Sequence, residues 1–294
     1  MILSRKRTLY STRRMREEAE KIGLQTRILD PIRCVISLAH SPPCVLFNRK
    51  PLDVDVVIPR VGTFAVPYSL AVVRQFRFMG IPTVNDDLGI GRARNKLHCL
   101  QWLAQKGIRI PETLAARFLT SFDKILEMVK GPPVVLKLTS GTQGTGMILS
   151  DTLQAAQSSL EAIWSLGYDM LMQRFVAESR GRDIRALVIG GRVVAAMRRI
   201  AAKKEFRSNI HRGGVGEAVK LNREYADAAV RAADAMGLRV AGVDLLESKD
   251  GPSVIEVNAS PGFQGLEQAT GGNIAREIVA YAARLARKKR KRRA

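Results

Sequence analysis

Apolar positions recur along this chain with two spacings, and the switches between them mark its elements. Residues 1–3 open as a strand, and residues 9–22 carry apolar side chains at helical intervals. A short strand follows at 26–29, and CVLFN (44–48), with a proline before it, and DVVIP (55–59) read as two more. SLAVVRQFRFMG (69–80) returns to helical spacing and stops at Gly80. IPTVND (81–86) then reads as a strand with a polar end. This alternation predicts an open α/β first third.

A second region begins near Gly91. ARNKLHCLQWLAQKG (93–107) forms an amphipathic helix ended by Gly107, and IPETLAA (110–116) is extended. FDKILEMVKG (122–131) is a helix, capped by Thr120 or Ser121. Strand PVVLKL, loop TSGTQGTG and strand MILS come next, then a helix over 152–167. From 170 to 219 the pattern is β-rich, with a Gly190–Gly191 turn inside a hairpin. Helices are expected at 224–236 and from about 273 into the C-terminus. There is no long linker and no internal repeat. The first third has the character of half a Rossmann fold, but it contains no GxGxxG, so dinucleotide binding has no support.

GVDLLESKDGPSVIEVNASPG (242–262) breaks the apolar pattern in an informative way, because each of its two strands carries a carboxylate. A three-residue loop of Lys249, Asp250 and Gly251, with Gly251 left-handed, pairs Ser248 with Pro252. That register sets Asp244 opposite Glu256 and Gly242 opposite Asn258, all on one face. A two-residue Asp250–Gly251 turn would instead separate the acids. Like charges directly across a ladder destabilise it. A hard cation such as magnesium, taking oxygen from Asp244, Glu256 and Asn258, would compensate. The alternative is an exposed hairpin whose acids pair with surface lysines.

Composition narrows the class. The chain has 294 residues, 46% of them hydrophobic and 5% aromatic, enough for two or three lobes with real cores. No apolar run approaches the ~20 residues of a membrane span, and a transit peptide is not expected because strand begins at once. Cys34, Cys44 and Cys99 are odd in number and lack CxxC spacing, which predicts reduced thiols in a cytoplasmic protein and no zinc ribbon. His40, His98 and His211 are scattered. The formal charge is +21, and the last eleven residues, RLARKKRKRRA, hold eight basic residues and no acid. Such a tail should fray beyond the final helix and favour polyanions, RNA or a ribosome surface among them. With no aromatic interleaved, base stacking is not indicated there.

Two further stretches carry candidate chemistry. KLTSGTQGTGMIL (137–149) is glycine-rich but lacks the Gly-Lys-Ser/Thr of a Walker loop. Its backbone N–H groups can still approach a phosphate closely. Lys137, in the preceding strand, can reach inward to phosphate or snorkel to solvent. In GRDIRALVIGGRVVAAMRRI (181–200), Asp183 and Arg185 share a strand face, and a two-residue glycine turn sets Asp183 against Arg198 as a structural ion pair. EFRSNIHRGG (205–214) alternates Arg207, Asn209 and His211 with Arg212 beside them, a donor-rich surface for phosphate or carboxylate, or else a charged edge strand.

Taken in order, these stretches resemble an ATP-grasp ligase, and closely the RimK-type enzymes that add glutamate to a small-subunit ribosomal protein. The likeness runs through DVVIPRVGT, RQFRFMGIPTVND, NKLHCLQWLAQKGI, VVLKLTSGTQGTG, DIRALVIGG, FRSNIHRGG, AGVDLLES and EVNASPGFQGLE, most of the chain. It implies an α/β (α+β) ATP-grasp fold. An N-terminal pre-ATP-grasp domain would cover 1–91, a small lid domain 92–170 and a larger β-rich domain 171–283, with 284–294 a basic tail outside the family pattern. It implies ATP between the last two domains. Lys96 and Lys137 would contact phosphates, the loop with Gly141, Thr142, Gly144 and Gly146 would close over them, and Arg174, Phe175 and Val176 would form the adenine hinge. Asp183 and Arg185 would lie beside the ribose and triphosphate. Arg207 and Asn209 would be catalytic at the transferring phosphate, with Ser208 also in the ATP-binding set. Asp244, Glu256 and Asn258 would hold two magnesium ions, manganese being a substitute. At the hinge the family usually has Glu where Arg174 stands, so a side-chain acceptor for adenine is lost.

The resemblance further implies that a carboxylate attacks ATP to give an acyl phosphate, which the amine of L-glutamate displaces. The acceptor would be an acidic peptide or protein C-terminus, and the protein a homo-oligomer, a tetramer by family likeness. A ligase acting on a small molecule or an amino-group carrier stays open, as does an RNA- or ribosome-binding protein without turnover. Asp244→Asn and Glu256→Gln are each expected to abolish turnover and largely preserve the fold.

Overall fold

A computed structural model describes residues 1–62, 64–117, 122–139, 146–202 and 213–293. Its N-terminal part alternates strand and helix. β1 (Ile2–Leu3), α1 (Tyr10–Lys21), β2 (Ile28–Leu29), β3 (Val35–Ser37), β4 (Cys44–Phe47), β5 (Lys50–Pro51), β6 (Ile58–Pro59) and α2 (Val66–Phe78) follow in order. β2, β1 and β6 form a parallel sheet, and β3, β4 and β5 a small separate one. Leu3, Leu29, Val57, Val73 and Phe76 make the core between sheet and α2, while Met15 and Ala19 of α1 pack with Ile2 and Ile28.

The strand expected at 81–86 is reduced to a single bridge, Val57 to Thr83. Its polar end has another use. Asn85 donates to the carbonyls of Val240 and Ala259 and accepts from the N–H groups of Arg239 and Val240, stapling the N-terminal part to the rest. The helix expected at 93–107 is likewise two helices. α3 (Asp87–Arg94) is capped by Asp86, whose side chain accepts from Gly89 N–H. α4 (Lys96–Gln105) is capped by Asn95, which leaves the helical conformation and accepts from His98 N–H. Each polar cap supplies an acceptor that a continuous helix would have no use for.

β7 (Thr113–Ala116), α5 (Phe122–Glu127), β8 (Val134–Leu138), β9 (Met147–Ser150), α6 (Leu153–Ser165) and β10 (Met170–Arg174) build an antiparallel sheet of order β7-β10-β8-β9. α5 ends well short of residue 131, where Lys130 and Gly131 both take positive φ. One sheet face buries Val134, Leu136, Met170 and Met172 against Leu126 and Leu160 of the helices. By alternation the other face presents Val135, Lys137, Leu171 and Gln173.

The third sheet is antiparallel, of order β13-β12-β11-β14-β15. β11 (Arg182–Ile189), β12 (Arg192–Ile200) and β13 (Val215–Ala218) precede α7 (Arg223–Met236), and β14 (Val240–Ser248), β15 (Gly251–Asn258), α8 (Gln264–Thr270) and α9 (Ile274–Arg293) follow. Ile184, Ala186, Val243, Leu245 and Val257 pack on α7 and α4. Leu187, Ile189, Met197 and Val240 face the opposite way, onto Phe263, Leu266, Ile274 and Ile278. α8 falls in a stretch with no expected element. α9 also corrects the sequence reading, since the basic tail continues as helix to Arg293 rather than fraying. Lysine and arginine are good helix formers, and cations at a helix C-terminus meet the negative end of its dipole.

Candidate active site

β14 and β15 meet through a two-residue turn: Ser248 pairs with Gly251 and Glu247 with Pro252, not Ser248 with Pro252. By itself this turn would set Asp244 opposite Ile255, one residue short of Glu256. A bulge at Ile255 adds the missing residue, and Asp244 comes opposite Glu256 with Gly242 opposite Asn258. Gly251, just after the turn, takes the expected left-handed conformation, φ +95°. Gly242 is needed for space, because a Cβ there would lie 2.9 Å from the Pro261 side chain. A second bulge, at Val194, corrects the other hairpin: Asp183 faces Arg199, while Arg198 faces Ile184.

These registers gather Asp183, Arg185, Arg199, Asp244, Glu256 and Asn258 on one face of the sheet. Arg185 grips Asp244 with a two-pronged contact, Nε to Oδ1 at 2.7 Å and Nη2 to Oδ2 at 2.6 Å. Arg199 lies between two acids, donating to both oxygens of Asp183 and, at 2.9 Å, to Oδ2 of Asp244. Asp183 and Asp244 are 5% and 3% exposed, so these are buried charges and the pairing is what makes them tolerable. Burial pushes both β14–β15 acids up. For Asp244 the charges of Arg185 and Arg199 outweigh it and hold the carboxyl below its ordinary range. For Glu256 burial is reinforced by the charge of Asp244, only partly relieved by Lys96, Arg185 and Lys137, and its pKa is raised.

From the other sheet, Lys137 donates through Nζ to Gln173 Oε1 at 2.5 Å, and Gln173 donates in turn to Thr113 Oγ1. Burial, with Lys96 adding, lowers Lys137 to about 8 against the pull of Glu256, Asp183 and Asp244. Three carboxyls and four cations, Lys96, Lys137, Arg185 and Arg199, therefore sense one another across the two sheets. Lys96 begins α4, and its N–H donates to the Thr139 carbonyl next to the glycine-rich loop. Gly146 closes that loop with φ +75°, where a Cβ would strike Leu138.

Arg174 ends β10 with its N–H on the Glu112 carbonyl and its guanidinium on the Glu112 carboxylate at 3.2 and 3.3 Å, so its side chain is committed to β7's approach. Phe175 lies under the Arg180 guanidinium, and Val176 is buried. Gly141, Thr142, Gly144, Arg207, Ser208, Asn209, His211 and Arg212 lie outside the described residues. Sequence reasoning missed Arg199 and Gln173. One of two adjacent arginines on β12 must face inward, and only the bulge decides which.

The donor set suits a hard cation. Glu256 and Asn258 are two apart on β15 with Asp244 across from Glu256, all oxygen ligands, and Glu256 is short of positive charge. No group of three or more histidine, cysteine, aspartate or glutamate side chains able to hold a metal ion occurs among the described residues, so the candidate set is two acids and an amide.

Cations on one antiparallel sheet thus face paired carboxyls on the next. The chain matches the ATP-grasp ligase PsnB, solved with a minimal precursor, Mg and ADP, at a TM-score of 0.76 over 97% of both chains with 19% identity. The RimK-like ATP-grasp domain matches residues 93–282 and the RimK PreATP-grasp domain residues 1–90. The chain is 46% identical over 281 residues to a probable alpha-L-glutamate ligase of Chromohalobacter salexigens, covering 95% of this chain and 93% of that protein. Against another of that description, from Aliivibrio fischeri, it is 46% identical over 290 residues, 98% and 96% of the two chains. It belongs to the RimK-like ATP-grasp family, and is an ATP-dependent ligase.

Proposed function

We propose that this ligase adds L-glutamate to the carboxyl end of an acidic peptide or protein, with ATP and magnesium. The observation that carries the reading is the setting of Lys96 and Lys137 against Glu256 and Asp244 in a chain nearly half identical to proteins described as alpha-L-glutamate ligases. An acceptor carboxylate oxygen bonds to the γ-phosphorus of ATP, the bond from phosphorus to the β–γ bridging oxygen breaks, and ADP leaves. The amine of glutamate then attacks the acyl carbon, loses a proton, and inorganic phosphate departs as the amide forms.

Both steps shift negative charge between oxygens, so the protein contributes position and positive charge rather than a nucleophile. Lys137, held by Gln173, and Lys96 would steady the phosphates. Glu256, Asn258 and Asp244 would hold magnesium, a second ion and manganese included in the proposal. Bound there, the metal would neutralise phosphate charge. Arg174 through Val176 would carry adenine on backbone groups, and Asp183 with Arg185 would border the ribose and phosphates. Arg207 and Asn209 are assigned to the transferring phosphate, with Ser208 and the loop of Gly141, Thr142, Gly144 and Gly146 around it. PsnB's precursor complex supports a peptide acceptor on this fold. A small-subunit ribosomal protein as that acceptor, a tetramer, and a cytoplasmic setting belong to the proposal.

The test incubates the protein with ATP, magnesium, glutamate and either total ribosomal protein or synthetic peptides ending in glutamate. Glutamyl mass increments coupled to ADP release are expected. ADP release with increments only on small-molecule acceptors would replace the peptide, and no ADP release under any condition would overturn the ligase reading.

A further inference from the structure

Arginines drawn out of water in this molecule are met by carboxylates: Arg199 by Asp183 and Asp244, Arg185 by Asp244, Arg14 by Glu18 and Glu267. Arg60 and Arg94 are not, among the described residues. Nη2 of Arg60 donates to Ser11 Oγ at 3.1 Å and to the Pro261 carbonyl at 2.8 Å, both neutral acceptors. Nε and Nη2 of Arg94 are enclosed with no acceptor, and so is Oγ of Ser260, the neighbour of Pro261. Burial, with no carboxylate to offset it, lowers Arg60 to about 10 and lowers Arg94 as well. An unpaired buried charge is among the costliest features a fold can keep. Arg60 and Arg94 are partly buried cations whose enclosed donors meet neutral acceptors or none, an arrangement that suits an anion arriving from outside.

Their place in the fold says which anion. Arg60 follows β6, at the carboxyl ends of the parallel strands, where open α/β sheets bind ligands. Arg94 ends α3, a helix that packs on β15, and stands two residues before Lys96. Ser260 lies two residues beyond Asn258. The region thus adjoins the end of β15, beside the acids assigned to the metal. Nucleotide phosphates already have Lys96 and Lys137, so the charge left to neutralise belongs to the other substrates, which are carboxylates.

We propose that Arg60, with Arg94 and Ser260, forms a subsite that holds a non-reacting carboxylate of the ligase's amino-acid or peptide substrate. The proposal rests on the ligase reading above. A guanidinium offers a carboxylate two parallel N–H donors, which fixes orientation as well as charge. Two sources share this chemistry, the carboxylates of incoming glutamate and the side chain of the acceptor's terminal glutamate.

The experiment measures KM and kcat for ATP, for glutamate against glutamine, and for an acceptor peptide ending in glutamate against one ending in glutamine, in wild type, Arg60→Met, Arg60→Lys and Ser11→Ala. Arg60→Met is expected to lower kcat/KM ~10- to 100-fold for one of the two carboxylate substrates. It should also erase discrimination between that substrate and its amide, and leave KM for ATP unchanged. Which substrate responds identifies the source. Arg60→Lys should restore part of the loss, and Ser11→Ala, which removes a hydrogen bond but no charge, should behave as wild type. Should Arg60→Met fail to fold, Arg94→Met and Ser260→Ala are read in the same way. Discrimination that persists in the arginine variants, or an equal loss in Ser11→Ala, would overturn the subsite and leave Arg60 a structural tie. Wild-type turnover with glutamate in the same assay separates that result from failure of the ligase reading.

Discussion

Asp244 and Glu256 face one another, yet they differ in what holds them. Asp244 is gripped by Arg185 and Arg199, whereas Glu256 is raised by burial and by Asp244 itself. These contacts therefore predict unequal tolerance of Asp244→Asn and Glu256→Gln, where charge repulsion alone would predict equal tolerance. Removing the charge of Asp244 leaves two guanidinium groups short of their partner and should cost about 3–5 kcal/mol. Glu256→Gln relieves burial and repulsion that the nearby cations only partly offset, and should unfold at or above the wild-type denaturant midpoint. Both should lose turnover, and equal midpoints for the two would refute the asymmetry. Lys137 supplies a second prediction at this scale. Its folded pKa, about 8, lies below the ordinary 10.5, so between those values the unfolded chain binds more protons. Stability from this group is complete above about 10.5 and fades as pH falls through 8. Function should run the other way, since only the ammonium form can attract phosphate. We expect kcat/KM for ATP to fall as pH rises through about 8 and the alkaline limb to vanish in Lys137→Arg; a limb unmoved by that change would belong to another group.

At the level of elements, caps and bulges decide what reaches the site. Asn95 breaks the segment that periodicity reads as one helix and starts α4 at Lys96, with its side chain on His98 N–H. Asn95→Ala should cost about 1 kcal/mol in stability. It should also loosen the first turn that carries Lys96, raising KM for ATP several-fold with kcat little changed; an unaltered KM would detach Lys96 from the nucleotide. Caps of this kind are written in the residues themselves, which is why α7 and the strands around Lys137 could be read from sequence almost to their ends. Bulges are not. The alignment of Asp244 with Glu256 was legible, but through a three-residue turn, whereas the chain reaches it with a tighter turn and an extra residue at Ile255. In the neighbouring hairpin the same omission gave the wrong arginine, since Val194 shifts Asp183 onto Arg199. A bulge depends on sheet twist and on packing from both faces, and neither leaves a mark in local periodicity. Arg60 escaped for a related reason: nothing nearby in sequence says that no carboxylate will meet it.

Across the whole molecule the charge of +21 has little to do with the balance inside the site, where three carboxyls meet four cations. A third of it sits at the end of α9. The packed positions of that helix run through Ile274, Ala275, Ile278, Val279 and Ala282 to Leu285, and the seven basic residues from Arg287 to Arg293 lie beyond them on the same helix. Cutting the chain after Leu285 removes those seven charges, taking the formal charge from +21 to +14. It removes no residue of the described core, so stability should change by less than about 0.5 kcal/mol. What should change is encounter with an acidic acceptor, because a cationic arm raises the association rate and loses its reach once the Debye length shrinks to ~10 Å near 0.1 M salt. The full chain should show kcat/KM for the acceptor falling steeply with ionic strength and kcat holding constant. The shortened chain should start lower and fall more gently, the two curves converging at high salt. RNA fragments should compete for the arm, inhibiting the full chain and sparing the shortened one. Parallel salt curves for the two proteins would show that the arm takes no part in capture, and would leave acceptor recognition to charges elsewhere on the molecule.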